Sequence, residues 1–377
     1  MVTPADAEAL AAAVLPAGVE RFVAGGAGDE RTLAANRAAF DALHLLPRVL
    51  TGVSTVDTAT RLLGDEPDPA ALPLAIAPMA YQRAVHPEGE LAVARAASAA
   101  GIPFTACTFS STPVEEIAAT GATLWFQLYW LRDRALTKDL LARAEEAGAR
   151  ALMLTVDTPY MGRRRADLRG AFTLPEGVTA AHFARGDDGA PSGPRDGVSG
   201  IAVQTAGLVE PSLSWRDLDW LRAHTRLTLV LKGVLDPADA DRAAAEGVAG
   251  IVVSNHGGRQ LDGAIPTLDA LPAVVDAVAG RSRILLDSGV RSGTDVLKAL
   301  ALGASGVLLG RPALWGLAAG GEAGVTKVLT LLREELENAL ALSGCSVPAA
   351  AARLRTTKGG KSLDGPEKDH VPFTSTP

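Results

Sequence analysis

The segment Ser254-Asn255-His256-Gly257-Gly258-Arg259-Gln260-Leu261-Asp262 places an imidazole, two glycines and a guanidinium in one short stretch. Histidine is the natural proton acceptor near neutral pH. The glycines let another molecule approach the backbone closely. Arg259 can grip a carboxylate through two parallel N–H donors. A lone histidine is more often a structural hydrogen-bonder. Here a carboxylate that could orient it, Asp157, ends a second apolar run, which favours a base at His256. Lys232 ends a third run. Alone it suits either a Schiff-base lysine or a fixed positive charge beside an anionic cofactor. Asp287-Ser288-Gly289-Val290-Arg291 and Gly310-Arg311 each open a helix. Small residues, free backbone N–H groups and two guanidiniums there make a phosphate-type anion site, the alternative being two tight turns with surface arginines. Met161-Gly162-Arg163-Arg164-Arg165 carries three consecutive arginines, of which one can reach inward while the others stay solvated.

These residues need elements that bring them together. Eight short apolar runs read as buried parallel strands: Leu74–Pro78, Pro103–Cys107, Leu124–Tyr129, Ala151–Asp157, Leu227–Gly233, Gly250–His256, Ile284–Gly289 and Gly306–Gly310. Between them lie Ala-rich amphipathic helices, among them Glu88–Ala100, Val114–Ala119, Thr137–Ala147, Pro237–Glu246, Thr267–Val278 and Gly293–Leu302. Gly101, Gly148, Gly247 and Gly303 stand at their C-terminal stops. Eight strand–helix repeats predict an α/β fold of the (β/α)8 TIM-barrel type, in which the chemistry gathers at the C-terminal strand ends. The rival, an open doubly wound sheet, lacks a GxGxxG after the first strand. On the barrel reading Gln127, Tyr129, Thr155, Asp157, Lys232, Ser254, His256, Asp287 and Arg311 converge on one face.

The chain is expected to be one domain. A helical N-terminal segment (1–70, with a capped helix at Asp29–Phe40) leads into the barrel (71–320). A C-terminal helix (321–352) and a polar, mobile tail (353–377) follow. The stretch 158–226 is far longer than an ordinary connection and predicts a lid over the active face. Its centre, Gly189–Gly200, is Gly/Pro/Ser-rich and equally consistent with a solvated excursion. Of the other histidines, His86 punctuates a helix start, and His44, His182, His224 and His370 have no evident partners.

Composition narrows the function. The 377 residues are 47% hydrophobic but only 4% aromatic, and the net charge is −7. No basic surplus is available for a phosphate backbone, so nucleic acid is not an expected partner. Two cysteines, Cys107 and Cys345, exclude a disulfide framework or a Cys-rich metal site, and no metal is expected. The N-terminus lacks a signal-peptide pattern and no apolar run is long enough to span a membrane, so a soluble cytoplasmic protein is expected.

From about Ala7 to about Leu354 the chain resembles the FMN-dependent α-hydroxy-acid oxidase/dehydrogenase family. Ser254–Asp262 is the most specific segment. Pro87-Glu88-Gly89-Glu90, Thr155-Val156-Asp157-Thr158-Pro159, Gly162-Arg163-Arg164 and the Asp287–Arg291 and Gly310-Arg311 turns support it. The resemblance implies FMN as cofactor, a small 2-hydroxy acid and O2 as substrates, and a homo-oligomer, a tetramer. It implies that His256 takes a proton from the substrate, paired with Asp157, while Arg259, Arg164 and Tyr129 hold the substrate's carboxylate and hydroxyl. It places Lys232 at the edge of the flavin ring. Pro78, Met79, Ala80, Cys107, Gln127, Thr155 and Ser254 are implied along the flavin, and Asp287, Gly289, Arg291, Gly310 and Arg311 at its phosphate.

Glycolate oxidases carry tyrosine where this chain has Phe22 and tryptophan where it has Phe109, and Cys107 replaces a usual serine. Ala77–Arg83, Thr105–Thr108, Gln127–Asp133 and Tyr160–Arg164 resemble a subgroup, the 4-hydroxymandelate oxidases of nonribosomal-peptide pathways. An aryl acid would gain from a Phe22/Phe109 pocket by apolar burial. The resemblance thus implies oxidation of an (S)-2-hydroxy acid, mandelate or 4-hydroxymandelate, with H2O2 as by-product. Ala80, where membrane-bound mandelate dehydrogenases have glycine, favours an oxidase. The alternatives are a soluble dehydrogenase with another acceptor or an aliphatic acid, a Lys232 Schiff-base aldolase, and a non-catalytic flavin-binding scaffold.

Overall fold

A computed structural model of the chain describes residues 1–64, 67–169, 172–183 and 200–358. Eight parallel strands close into a barrel: Leu74–Ile76, Phe104–Cys107, Leu124–Leu128, Ala151–Thr155, Thr228–Val234, Gly250–Val253, Arg283–Leu286 and Gly306–Leu309. Closure comes from the first strand, which pairs with the eighth in the register Ile76↔Leu309. All eight expected strands are present. Most stop before their last polar residues, which form the loops at the barrel mouth, but the fifth runs on through Lys232 and Gly233.

The strands are almost wholly apolar because helices cover the barrel outside and side chains fill it inside. Ala75, Trp125, Met153, Val230, Val252, Leu285 and Leu308 form the interior cluster together with Leu62 and Leu63. A Cβ at Gly250 would meet Leu63, and one at Gly306 would meet Leu62. Those glycines begin the sixth and eighth strands, so Leu62 and Leu63 plug the amino-terminal end. The opposite end is left for the site.

The helices follow their expected positions, with shifts explained by their caps. The helix after the third strand runs Arg134–Glu146, starting before the expected Thr137, because the Asp133 carboxylate accepts from the backbone N–H groups of Ala135 and Leu136. The helix expected at Asp29–Phe40 runs Arg31–Ala42, after shorter helices at Pro4–Val14 and Ala17–Ala24, and has no side-chain cap of its own; Glu30, at the cap position, is left-handed with φ 62°. The expected local cap at Asp29 is replaced by Asp262, whose carboxylate accepts from the N–H groups of Asp29 and Thr32 at 2.8 and 3.0 Å. The C-terminal helix, Arg311–Ser343, breaks at Gly320–Gly321.

Within 158–226 the described residues form short helices at Arg165–Arg169, Ala181–Phe183, Gly200–Leu208 and Asp217–His224. Residues 189–199 of the expected lid centre lie outside the described residues, as do residues 359–377 of the expected mobile tail. The rest of that tail is ordered: Arg355–Lys358 is a strand paired antiparallel with Leu43–Leu46. Among the described residues no helix is long and apolar enough to cross a membrane.

Candidate active site

A cavity of about 180 Å³ opens at the C-terminal end of the barrel, and all eight strands or the loops after them reach it. Its centre is His256. The chain turns sharply there, with φ 61° at His256 and 68° and 74° at the two following glycines. The His256 backbone N–H donates to Ser254 Oγ at 3.0 Å, which fixes the turn. His256 Nδ1 lies 3.0 and 3.2 Å from the two carboxylate oxygens of Asp157. The network therefore assigns the proton to Nδ1 and leaves Nε2 as the basic nitrogen. Burial pushes the imidazole below its usual pKa and outweighs the opposing pull of Asp157, while Lys232 adds to the lowering. At neutral pH His256 is a free base. For Asp157, burial works upward, but His256 and then Lys232 outweigh it and hold the carboxyl below its ordinary value.

Four guanidiniums turn into the cavity, and none has a carboxylate within ion-pair distance among the described residues. Arg163 and Arg165 are exposed, whereas Arg164 points inward and its Nε is buried without a partner. Arg259 donates to the Gly25 carbonyl at 2.7 Å and lies 5.3 Å over the Phe22 ring. Burial lowers the pKa of both, and for Arg259 the neighbouring Arg164 and Arg311 add to the effect. Arg291 and Arg311 are likewise lowered by burial, to about 10 and about 9. Arg311 is braced by the carbonyls of Val23, Gly25 and Gly257, each at 3.0 Å. Asp167 offsets part of the lowering at Arg164 and Arg259, and Glu8 part of that at Arg291 and Arg311, but with no carboxylate in direct contact among the described residues each pair of buried guanidiniums suits an anion. Arg164 and Arg259 flank His256. Arg291 and Arg311 stand at the ends of strands seven and eight, where Gly289 has φ 105° and Gly310 has only Ala77 and Met79 near the space a Cβ would take. The space beside Gly310 could take a phosphate.

Lys232 is buried, 3.2 Å from Asp287 and 3.1 Å from Ser254 Oγ. Burial alone would lower its pKa, but Asp287 and Asp157 outweigh burial and raise it. A Schiff-base lysine needs the opposite shift. Lys232 is thus a permanent cation in the cavity wall, suited to an anionic partner.

The other expected residues divide into two sets. Pro78, Met79, Ala80, Cys107, Phe109, Tyr129 and Phe22 line the cavity. Phe22 stacks on Phe172 at 4.7 Å, and Phe109 packs between Tyr129 and Phe183, each at 5.5 Å. Burial pushes the Tyr129 phenol well above its ordinary pKa, so it stays a donor. Gln127, Thr155 and Ser254 are buried and do not line the cavity. Gln127 Nε2 donates to Thr155 Oγ1 at 2.9 Å. Ile201 and Thr205, four apart on the helix Gly200–Leu208, also face the cavity. The sequence reading missed them; their helical spacing inside the long insertion was the available signal. His182 proves structural: it accepts from the Val114 N–H, and its Nδ1 lies 3.0 Å from the Thr108 carbonyl. Among the described residues no cluster of three or more metal-binding side chains occurs.

The model of the FMN-dependent dehydrogenase family matches residues 11–356. A 4-hydroxymandelate oxidase of Amycolatopsis orientalis is 52% identical over 95% of this chain and 99% of its own. An L-lactate oxidase of Nostoc sp. is 51% identical over 85% of this chain and 88% of its own. Glycolate oxidase 3 of Arabidopsis thaliana is 50% identical over 90% and 91%. A crystal structure of mandelate oxidase with (S)-4-hydroxymandelic acid superposes with a TM-score of 0.91, at 52% identity, covering 95% of this chain and 99% of that one.

Proposed function

Since the chain belongs to the FMN-dependent dehydrogenase family, we propose that it oxidises an aryl (S)-2-hydroxy acid, mandelate or 4-hydroxymandelate, to the 2-oxo acid and passes the electrons to O2, giving H2O2. The observation that carries this is the pairing of one neutral, carboxylate-braced imidazole with two buried guanidiniums that no carboxylate among the described residues contacts directly, in one cavity. An aldolase through Lys232 would leave both unexplained.

The residues present fit FMN. Arg291, Arg311 and the space beside Gly310 suit its phosphate, Lys232 suits the electron-rich edge of its ring, and Pro78, Met79 and Ala80 offer a wall. FMN, when bound, supplies the acceptor for two electrons and the α-hydrogen. The chain supplies everything else. Arg164 and Arg259 take the substrate carboxylate, and Tyr129 donates its phenolic hydrogen to the substrate. His256 Nε2 accepts the hydroxyl proton as the α-carbon is oxidised. Asp157 holds the imidazole in the required tautomer and stabilises the imidazolium that results.

Phe22, Phe109, Met161 and Ile201 give the cavity an apolar side fitted to an aryl ring. The similarity to the Amycolatopsis enzyme supports the same choice. A cytoplasmic tetramer belongs to this reading, and two buried, unpaired thiols, Cys107 and Cys345, suit a reducing compartment. The test is anaerobic mixing of the FMN-loaded protein with glycolate, lactate and both enantiomers of mandelate and 4-hydroxymandelate. The flavin absorbance should fall fastest with the (S)-aryl acids and return in air with H2O2. Faster loss with lactate or glycolate would overturn the aryl assignment. Slow return in air with fast transfer to a quinone dye would overturn the oxidase.

A further inference from the structure

The base pair and the carboxylate clamp come from two separate loops. Asp157 and Arg164 lie on the loop after the fourth strand; His256 and Arg259 lie on the loop after the sixth. We propose that Gln260 is the positioning residue that sets one loop against the other. This rests on the function proposed above.

Gln260 directly follows Arg259, and its amide reaches the opposite loop at three points. Nε2 donates to the carbonyls of Asp157 and Tyr160 at 2.7 and 2.9 Å. Oε1 accepts from the Gly162 N–H at 2.9 Å. The three partners begin at the residue that orients the base and end two residues before Arg164. One side chain therefore fixes the span that separates the two functional groups of that loop.

The loops are also in direct backbone contact. A Cβ at Gly162 would lie 2.7 Å from the Gln260 carbonyl and closer still to that of Arg259, so only glycine fits there. On the other side of the same loop, a Cβ at Gly233 would lie 2.5 Å from Asp157 Cβ. Asp157 is held between the fifth-strand end and the Gln260 amide.

The chemistry explains why the residue is glutamine. The arrangement needs two donors and one acceptor on a single planar group, which a primary amide provides. Glutamate has the same shape but, when ionised, points one oxygen at the carbonyls of both Asp157 and Tyr160 and can donate to neither. Methionine fills similar space and makes none of the bonds. Because a misplacement near 1 Å can cost ~10²-fold in rate, losing this tie should slacken the His256–Asp157 pair and the Arg164 clamp together.

The experiment compares the FMN-loaded wild type with Gln260→Met and Gln260→Glu, per bound flavin, on the wild type's best 2-hydroxy acid. Both variants should lose about 10–100-fold in kcat/KM, shared between a lower kcat and a higher KM. The acid limb of the kcat/KM profile should move to lower pH, because Asp157 is the group that lifts the His256 pKa. Calorimetry with the 2-oxo acid product, which needs no turnover, should show weaker binding. If either variant kept the wild-type kcat, KM and acid limb, or if the only change were a lower melting temperature, the positioning role would be wrong. If Gln260→Met failed to fold, Gln260→Glu would still decide. A wild type that turned over no 2-hydroxy acid would instead refute the function on which the role rests, and the role with it.

Discussion

His256 Nδ1 and Asp157 Oδ1 lie 3.0 Å apart, although 99 residues separate them in the chain. Strand closure makes the pair: Asp157 follows the fourth strand and His256 the sixth, and the single strand between them ends in Lys232-Gly233-Val234. The absence of a side chain at Gly233 lets Asp157 settle between its neighbours. Asp157 is braced further by Thr158 Oγ1, which donates to it at 2.9 Å.

The first prediction concerns this pair. Asp157→Asn removes the charge that raises the His256 pKa and leaves the groups that lower it, burial and Lys232. The acid limb of kcat/KM, already below the ordinary imidazole value, should move to still lower pH. The plateau should fall by about 10²–10⁴, because the imidazolium loses its partner and the tautomer is no longer fixed. A pH–rate profile of both proteins checks this. A limb that moves upward would show that the sign is wrong.

The second concerns the clamp. Arg259→Lys and Arg164→Lys should each raise KM about 10–100-fold, since charge-assisted hydrogen bonds are worth ~1.5–3 kcal/mol and an ammonium cannot present the guanidinium fork. The uncharged amide of the same hydroxy acid should show a much smaller difference between wild type and variants. Equal losses for acid and amide would mean that the arginines do not read the carboxylate.

A third follows from Lys232 and Asp287, whose side chains are only 4% and 9% exposed. Lys232→Met leaves the Asp287 carboxylate buried without its cation. Breaking a buried pair from one side costs about 3–5 kcal/mol. Chemical denaturation of the flavin-free protein should show a loss of that order, and Lys232→Met/Asp287→Leu should recover part of it. Unchanged stability of the single variant would place the pair in water.

Much of this architecture is legible in local sequence. The eight strands are short, apolar and spaced by amphipathic helices, so periodicity finds them to within a few residues. The polar strand ends then identify His256, Asp157, Lys232 and Arg311 without a structure. What periodicity misses is set by contacts across the fold. Nothing near Arg31 shows that its helix is capped from Asp262. Three adjacent arginines give no sign that the middle one turns inward, because the turn is fixed by Gly162 packing on the opposite loop. Ile201 and Thr205 were hidden by an insertion whose Gly/Pro/Ser-rich stretch drew attention from the helix after it.

The central claim is that His256 takes the substrate's proton. Anaerobic stopped-flow reduction of FMN-loaded His256→Ala by the best acid, beside the wild type, tests it most directly. The variant should keep its flavin and still bind the acid, and its reduction rate should fall by about 10²–10⁴. Reduction of the variant at the wild-type rate would contradict the account.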